Sequence, residues 1–183
     1  MIMPYIDLTN SLPGIAALLK DYPETAEPLL ELTQVLLRGD STLSEGEREL
    51  IATYVSGKNE CQYCQYTHGA TAKHLLDVDY DFIERVKNDR ADNELNPKIK
   101  SLLNIAGKVQ QSGRDVVQAD IANAREQGAT DQEIHDTVLI AATFCMFNRY
   151  VDGLATTIPN DDSVYHERGA ILADKGYGWQ TDV

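Results

Sequence analysis

The chain has 183 residues, 43 % of them apolar, enough for one compact domain with a buried core and too apolar for a disordered segment. Sixteen basic against 29 acidic side chains give a formal net charge of −13, with no basic stripe. Such a surface repels phosphate backbones and anionic lipids, so neither nucleic acid nor a membrane surface is expected as a partner.

No apolar run approaches the roughly 20 residues of a membrane span. Met1 to Asp7 lacks the basic region and long apolar core of a secretory leader, so the expected compartment is the cytoplasm. Pro13 opens a short predicted helix through Lys20, with Asn10 or Ser11 nearby as its cap. A second runs from about Glu24 to Arg38. Leu29, Leu32, Leu36 and Leu37 supply its helical spacing, Pro28 sits in its first turn or so, and Gly39-Asp40 end it. Ser44-Glu45-Gly46-Glu47 is a capping-box pattern, in which the serine accepts from the amide three residues on and Glu47 reaches back. The helix it opens carries Leu50, Ile51, Tyr54 and Val55 before Ser56-Gly57 closes it. After the link Lys58-Asn59-Glu60 another helix begins near Cys61 and continues to about Leu76, and Asp79 to about Asn88 forms a shorter one.

Asn96-Pro97 is a cap followed by a first-turn proline, opening a helix with Ile99, Leu102, Leu103, Ala106 and Val109 on one face. Val117 to Gln127 is helical and Gly128 stops it. Thr130-Asp131-Gln132-Glu133 is a second capping box, from which a long apolar helix runs through Ile134, Val138, Ala141, Ala142 and Cys145 toward Leu154. The two capping-box helices hint at an internal pseudo-repeat. His166 to about Lys175 forms a terminal helix, and Gly176-Tyr177-Gly178-Trp179 reads as a tail that needs a surface to dock on. No window alternates between turn dipeptides as a strand would, so the expected fold class is all-α.

The three cysteines, Cys61, Cys64 and Cys145, are too few for a secreted disulfide scaffold; in a reducing compartment a close pair points to catalysis or metal binding. On a helix Cys61 and His68 are seven residues apart and nearly in register, with Cys64 between them on the same side. Cysteines three apart there have Cβ atoms roughly 5–6 Å apart. A disulfide wants about 3.5–4.5 Å, which modest adjustment of a first turn supplies. The unpaired amides of a helix start also favour a thiolate, the form that attacks peroxides and disulfides. Glu49 lies eight residues before Gly57, roughly 12 Å back along its helix, and His68 about 10–11 Å into the next. An antiparallel hairpin of the two brings them level. A carboxylate beside an imidazole orients it and raises its basicity, giving a relay that takes a proton from a nearby thiol. The candidate site is therefore Glu49, Cys61, Cys64 and His68.

Other readings of the pair are open. It could be a zinc half-site with His68 as third ligand and His74 or His135 as fourth, although no second element completes the set. Two inert core thiols are another, against which the surrounding tyrosines and glutamines suggest partial exposure. A thioredoxin-type motif needs a preceding strand, and none is apparent. Cys145, in Thr143-Phe144-Cys145-Met146-Phe147, reads as core filler.

Glu49, eleven residues, Cys61-x-x-Cys64, three residues and His68 together resemble the signature of the AhpD-like alkylhydroperoxidases of the carboxymuconolactone decarboxylase family. Glu60-Cys61-x-Tyr63-Cys64 is the form of the peroxidase-related branch, and Asn148-Arg149-Tyr150-Val151-Asp152-Gly153-Leu154 resembles that branch's second recurrent segment. The resemblance covers roughly 40–157, leaving 1–39 as an N-terminal helical extension and 158–183 as a C-terminal tail of a single all-helical domain. It implies an AhpD-like helical bundle that forms homo-oligomers, and a peroxidase cycle with no cofactor, neither haem nor metal. The implied partners are a hydroperoxide substrate and a dithiol reductant. Cys64 would be the peroxidatic thiol, oxidised to a sulfenic acid, Cys61 would resolve it as a disulfide, and His68 with Glu49 would relay the proton. The founding members carry a second histidine between the cysteines where this chain has Tyr63, which implies a reduced or rearranged relay. The decarboxylating members lack the cysteine pair. Arg149 and Asp152, three apart, can pair on a helix surface, and with Asn148 they fit an oligomer contact or a pocket wall as well as chemistry. A non-enzymatic redox sensor using the same disulfide is the competing function.

Overall fold

The computed structural model describes residues 3–91 and 94–178. Among the described residues there are nine α-helices and no strand, as the all-α expectation requires. In order they are α1 (Ile15–Asp21), α2 (Pro23–Arg38), α3 (Glu45–Lys58), α4 (Gln62–Leu76), α5 (Tyr80–Lys87), α6 (Pro97–Gln111), α7 (Gln118–Glu126), α8 (Asp131–Gly153) and α9 (Asp162–Lys175), with a 3-10 turn at Gly113–Asp115. None of these helices is long and apolar enough to cross a membrane.

The axis of the bundle is α3, which α2, α4, α5, α6 and α8 surround. It is buried continuously from Arg48 to Ser56, a stretch that takes the polar side chains Arg48, Glu49, Thr53 and Ser56 inside with the apolar ones. Leu50, Ile51 and Val55 meet Leu102, Ile105, Ile140 and Phe144 in one core; each such side chain stabilises by about 1.5–3 kcal/mol when fully withdrawn from water. The Ser44 capping box forms as expected, as does the one at Thr130. The C-terminus of α3 differs: Ser56 and Gly57 remain helical because the Asn59 N–H still reaches the Val55 carbonyl, and Asn59 is the cap.

Two other helix starts move. Gly14, at φ +56°, turns the chain over the Tyr63 ring, so α1 begins at Ile15 rather than Pro13. Asn10 is not its cap but donates to the Ala17 carbonyl and the Asp21 carboxylate. Asp161 accepts from the Ser163 N–H, and α9 therefore starts four residues ahead of His166.

The helix that carries the cysteines, α4, lies between α3 and α9. Its contact with α9 is backbone-close at Gly169, where a Cβ would stand 2.5 Å from the Ala70 Cβ and 2.7 Å from its carbonyl carbon. Gly169→Ala should force the two helices apart and lower stability by about 1–3 kcal/mol. A lower denaturant midpoint at unchanged slope would show it.

Candidate functional site

Cys61 is the N-cap of α4 and Cys64 stands in its first turn, both as free thiols. The partial exposure expected from their neighbours is not found: Cys61 is 0 % and Cys64 3 % exposed. Tyr63 is the cause. It turns inward, packs with Val151 and Tyr165 about both cysteines, and presses its ring against the bare Cα of Gly14. Nor does the helix start favour a thiolate at Cys61. A hydrogen bond with Cys64, then burial, then nearby charge on Cys64 and Asp152 push the Cys61 thiol up. Cys61 is thereby held protonated, a donor to Cys64. Asp152 reaches it from the last turn of α8, with its own carboxyl raised by desolvation and eased by the Cys61 bond.

The α3–α4 hairpin brings Glu49 and His68 level, the geometry that the spacing called for. Glu49 is fully buried, and its Oε2 lies 2.7 Å from His68 Nδ1. Burial would push the Glu49 carboxyl up, but His68, Arg38 and the Tyr177 hydroxyl outweigh it and hold the carboxyl below its ordinary range. An ionised Glu49 requires a proton on Nδ1, which leaves Nε2 as the basic nitrogen. Phe144 meets the imidazole edge-on, with ring centroids 4.6 Å apart, and fixes its plane.

Two residues of this cluster are not among the site residues that the sequence led one to expect. Arg38 Nη2 donates to Glu49 Oε1 at 2.7 Å and to the Leu172 carbonyl at 3.0 Å. Burial works against its charge, but Glu49 first and then Tyr177 raise it, so the guanidinium stays ionised. The Tyr177 hydroxyl donates to the same Oε1 at 2.7 Å and lies 3.2 Å from His68 Nδ1. The only signal for Tyr177 was the tail's need for a docking surface; Trp179 of that tail lies outside the described residues. Arg38 had no signal, because an arginine in a last turn reads as a cation facing the helix dipole.

Cys64 and His68, one turn apart on α4, line one cavity of about 50 Å³ with Thr67 and Tyr177. A water needs roughly 10–15 Å³ on this measure, so the space takes a small reacting group. Leu19, Leu30, Phe147 and Leu172 make the remaining wall largely apolar, Arg168 stands at its edge, and Cys61 does not reach it. A groove of about 240 Å³ adjoins it, sharing Tyr63, Thr67 and Arg168.

The second motif segment acts at the α3–α4 corner. Asn148 is buried, donating to Ser56 Oγ at 3.0 Å and accepting from Asn59 at 2.8 Å, which fixes the turn that leads into Cys61. Arg149 donates to the Cys145 carbonyl one turn back, while Asp152 turns to Cys61, so the expected surface pair of Arg149 and Asp152 does not form. Cys145 packs half-buried against the core and lines an outer hollow with Gln110 and Arg149. Among the described residues, no group of three histidine, cysteine or acidic side chains could hold a metal ion. His74 and His135, the supposed further ligands, are exposed.

No curated protein matches the chain. Among solved structures, an uncharacterized peroxidase-related protein from Silicibacter sp. TM1040 is similar with a TM-score of 0.76 and 27 % identity, over 86 % of this chain and 80 % of that one. An uncharacterized peroxidase-related protein from Ralstonia eutropha JMP134, described as an alkylhydroperoxidase AhpD core, is similar with a TM-score of 0.76 and 27 % identity, over 86 % and 81 %. The model of the carboxymuconolactone decarboxylase family matches residues 23–76 and 79–157, which include Arg38, Glu49, both cysteines of the pair and His68 but not α1, α9 or Tyr177. The chain, with its AhpD-like all-helical fold, therefore belongs to the carboxymuconolactone decarboxylase family.

Proposed function

We propose that the protein is a thiol-dependent peroxidase that reduces hydroperoxides through Cys64 and Cys61, with His68 and Glu49 as its proton relay. One observation carries this reading: of the two thiols only Cys64 lines the cavity, together with an imidazole whose Nδ1 a buried carboxylate holds at 2.7 Å. Nε2 of His68 takes the Cys64 proton, and the Cys61 S–H steadies the resulting thiolate. The thiolate attacks the terminal peroxide oxygen, the O–O bond breaks, and the alkoxide leaves as an alcohol with the relay's proton. Cys64 is then a sulfenic acid. Cys61 attacks its sulfur, the S–O bond breaks, and water leaves as the disulfide forms. A dithiol reductant restores both thiols and is itself oxidised to a disulfide. The sum is one hydroperoxide and one dithiol giving one alcohol, one water and one disulfide.

The test is steady-state consumption of an organic hydroperoxide with several dithiol donors, dihydrolipoamide among them. The expected result is turnover that needs the dithiol, and loss of two thiols per chain when the donor is left out. Stoichiometric oxidation with no turnover on any donor would assign the pair to a redox switch instead.

A further inference from the structure

We propose that Tyr177, carried into the site by the segment that follows α9, is a positioning residue of the Glu49–His68 relay. This rests on the peroxidase reading above and adds a part to its machinery. The segment is built to deliver the phenol. Gly176 turns at φ +65°, and a Cβ there would lie 2.8 Å from Gln34 Oε1. That same Oε1 accepts from the Tyr177 N–H at 2.7 Å and the Gly178 N–H at 3.2 Å, which clamps the segment to α2. The Arg38 guanidinium sits 5.1 Å over the Tyr177 ring, and the His68 ring stacks on it at 6.1 Å.

The phenol cannot change roles. Burial first, and the Glu49 charge second, hold its proton on well above the ordinary tyrosine range. It is thus a permanent donor to Glu49 Oε1, which Arg38 also occupies, and among the described residues Oε2 is left to His68. Two donors on one oxygen fix the rotation of the carboxylate and, through it, the imidazole. The groups that bear on the pair are Arg38 from α2 with Glu45 behind it, Arg48 from α3, Cys64 from α4 and Arg168 from α9. Removing the phenol oxygen leaves each of these side chains in place, and Arg38 keeps the larger influence of Glu49 and loses only the smaller one of Tyr177. The family match stops at residue 157, so this contribution comes from a part of the chain that the family pattern does not describe.

The experiment compares wild type with Tyr177→Phe, which keeps the ring and its packing. The rate of iodoacetamide alkylation at Cys64, located by peptide mass mapping, is followed against pH beside peroxide turnover. Without the phenol the carboxylate loses one of the two donors on Oε1, so its rotation, and through it that of the imidazole, is less firmly set. The midpoint of alkylation should shift by about one pH unit, the size expected for one hydrogen bond to an ionised group. Turnover should fall in kcat by roughly tenfold on the same scale with KM little changed. Gln34→Ala, which loosens the clamp and leaves the phenol in place, should move the midpoint in the same direction by less. Superimposable alkylation profiles for wild type and Tyr177→Phe would overturn the assignment. The alkylation midpoint does not need peroxide turnover, so a wild type without peroxidase activity whose midpoint still shifts would sink the peroxidase reading and leave Tyr177 in its positioning role.

Discussion

Glu49→Ala should cost about 3–5 kcal/mol of folding stability and remove the carboxylate of the proposed relay, because it leaves the buried Arg38 guanidinium with only the half-exposed Glu45 at 3.5 Å as an anion. The Arg38 and Glu49 side chains are 5 % and 0 % exposed, so solvent screens the loss very little. The same substitution removes the acceptor of both His68 Nδ1 and the Tyr177 hydroxyl. A denaturant titration reads the first effect as a large drop in midpoint, and the alkylation rate of Cys64 reads the second. Acid tells the same story from the wild-type side. The Glu49 carboxyl is held below its ordinary range, so its contribution to stability is complete above the unfolded carboxylate value of about 4.3 and is lost as pH falls through the lower folded value. In Glu49→Gln that part of the acid dependence should vanish. The gap between wild type and Glu49→Gln, wide at pH 7, should narrow steadily below about pH 4.3. A gap that stayed constant down to pH 2 would mean that the carboxylate is not the charged member described above.

The two cysteines should separate cleanly by their products. Cys64→Ser removes the only thiol of the pair that meets the cavity, and peroxide reduction should fall by on the order of a thousandfold or more, as when a nucleophile is deleted. Cys61→Ser leaves that thiol in place but removes the sulfur that would close the disulfide. One equivalent of peroxide should then leave Cys64 as a sulfenic acid, captured by dimedone and located by mass spectrometry. Dimedone capture at Cys61 in Cys64→Ser, at a rate matching wild type, would reverse the assignment of roles.

Much of this site was legible because it obeys local arithmetic. Glu49 and His68 each lie a countable distance from a three-residue link, and a hairpin leaves them few places to be except opposite one another. The capping boxes at Ser44 and Thr130 are local in the same sense, since donor and acceptor are three residues apart. Exposure was not legible. Gln62, Tyr63, Gln65 and Tyr66 average to a polar neighbourhood, yet Tyr63 faces inward because Gly14, 49 positions earlier, leaves room for its ring. Arg38 and Tyr177 escaped for the same reason: each is defined by a partner distant in sequence, and Tyr177 lies 128 residues from the carboxylate it binds. Asn148 lies within the second recurrent segment, but nothing local told that its amide would brace the corner before Cys61.

That 128-residue reach also sets a clock on synthesis. Ribosomes add about 5–20 residues per second, so Cys64 is translated on the order of ten seconds before the tyrosine that steadies its proton acceptor. During that interval the nascent chain carries the sulfur without the phenol that completes the Glu49 cluster, and the helical hairpin with its two thiols waits on a segment made only after α9.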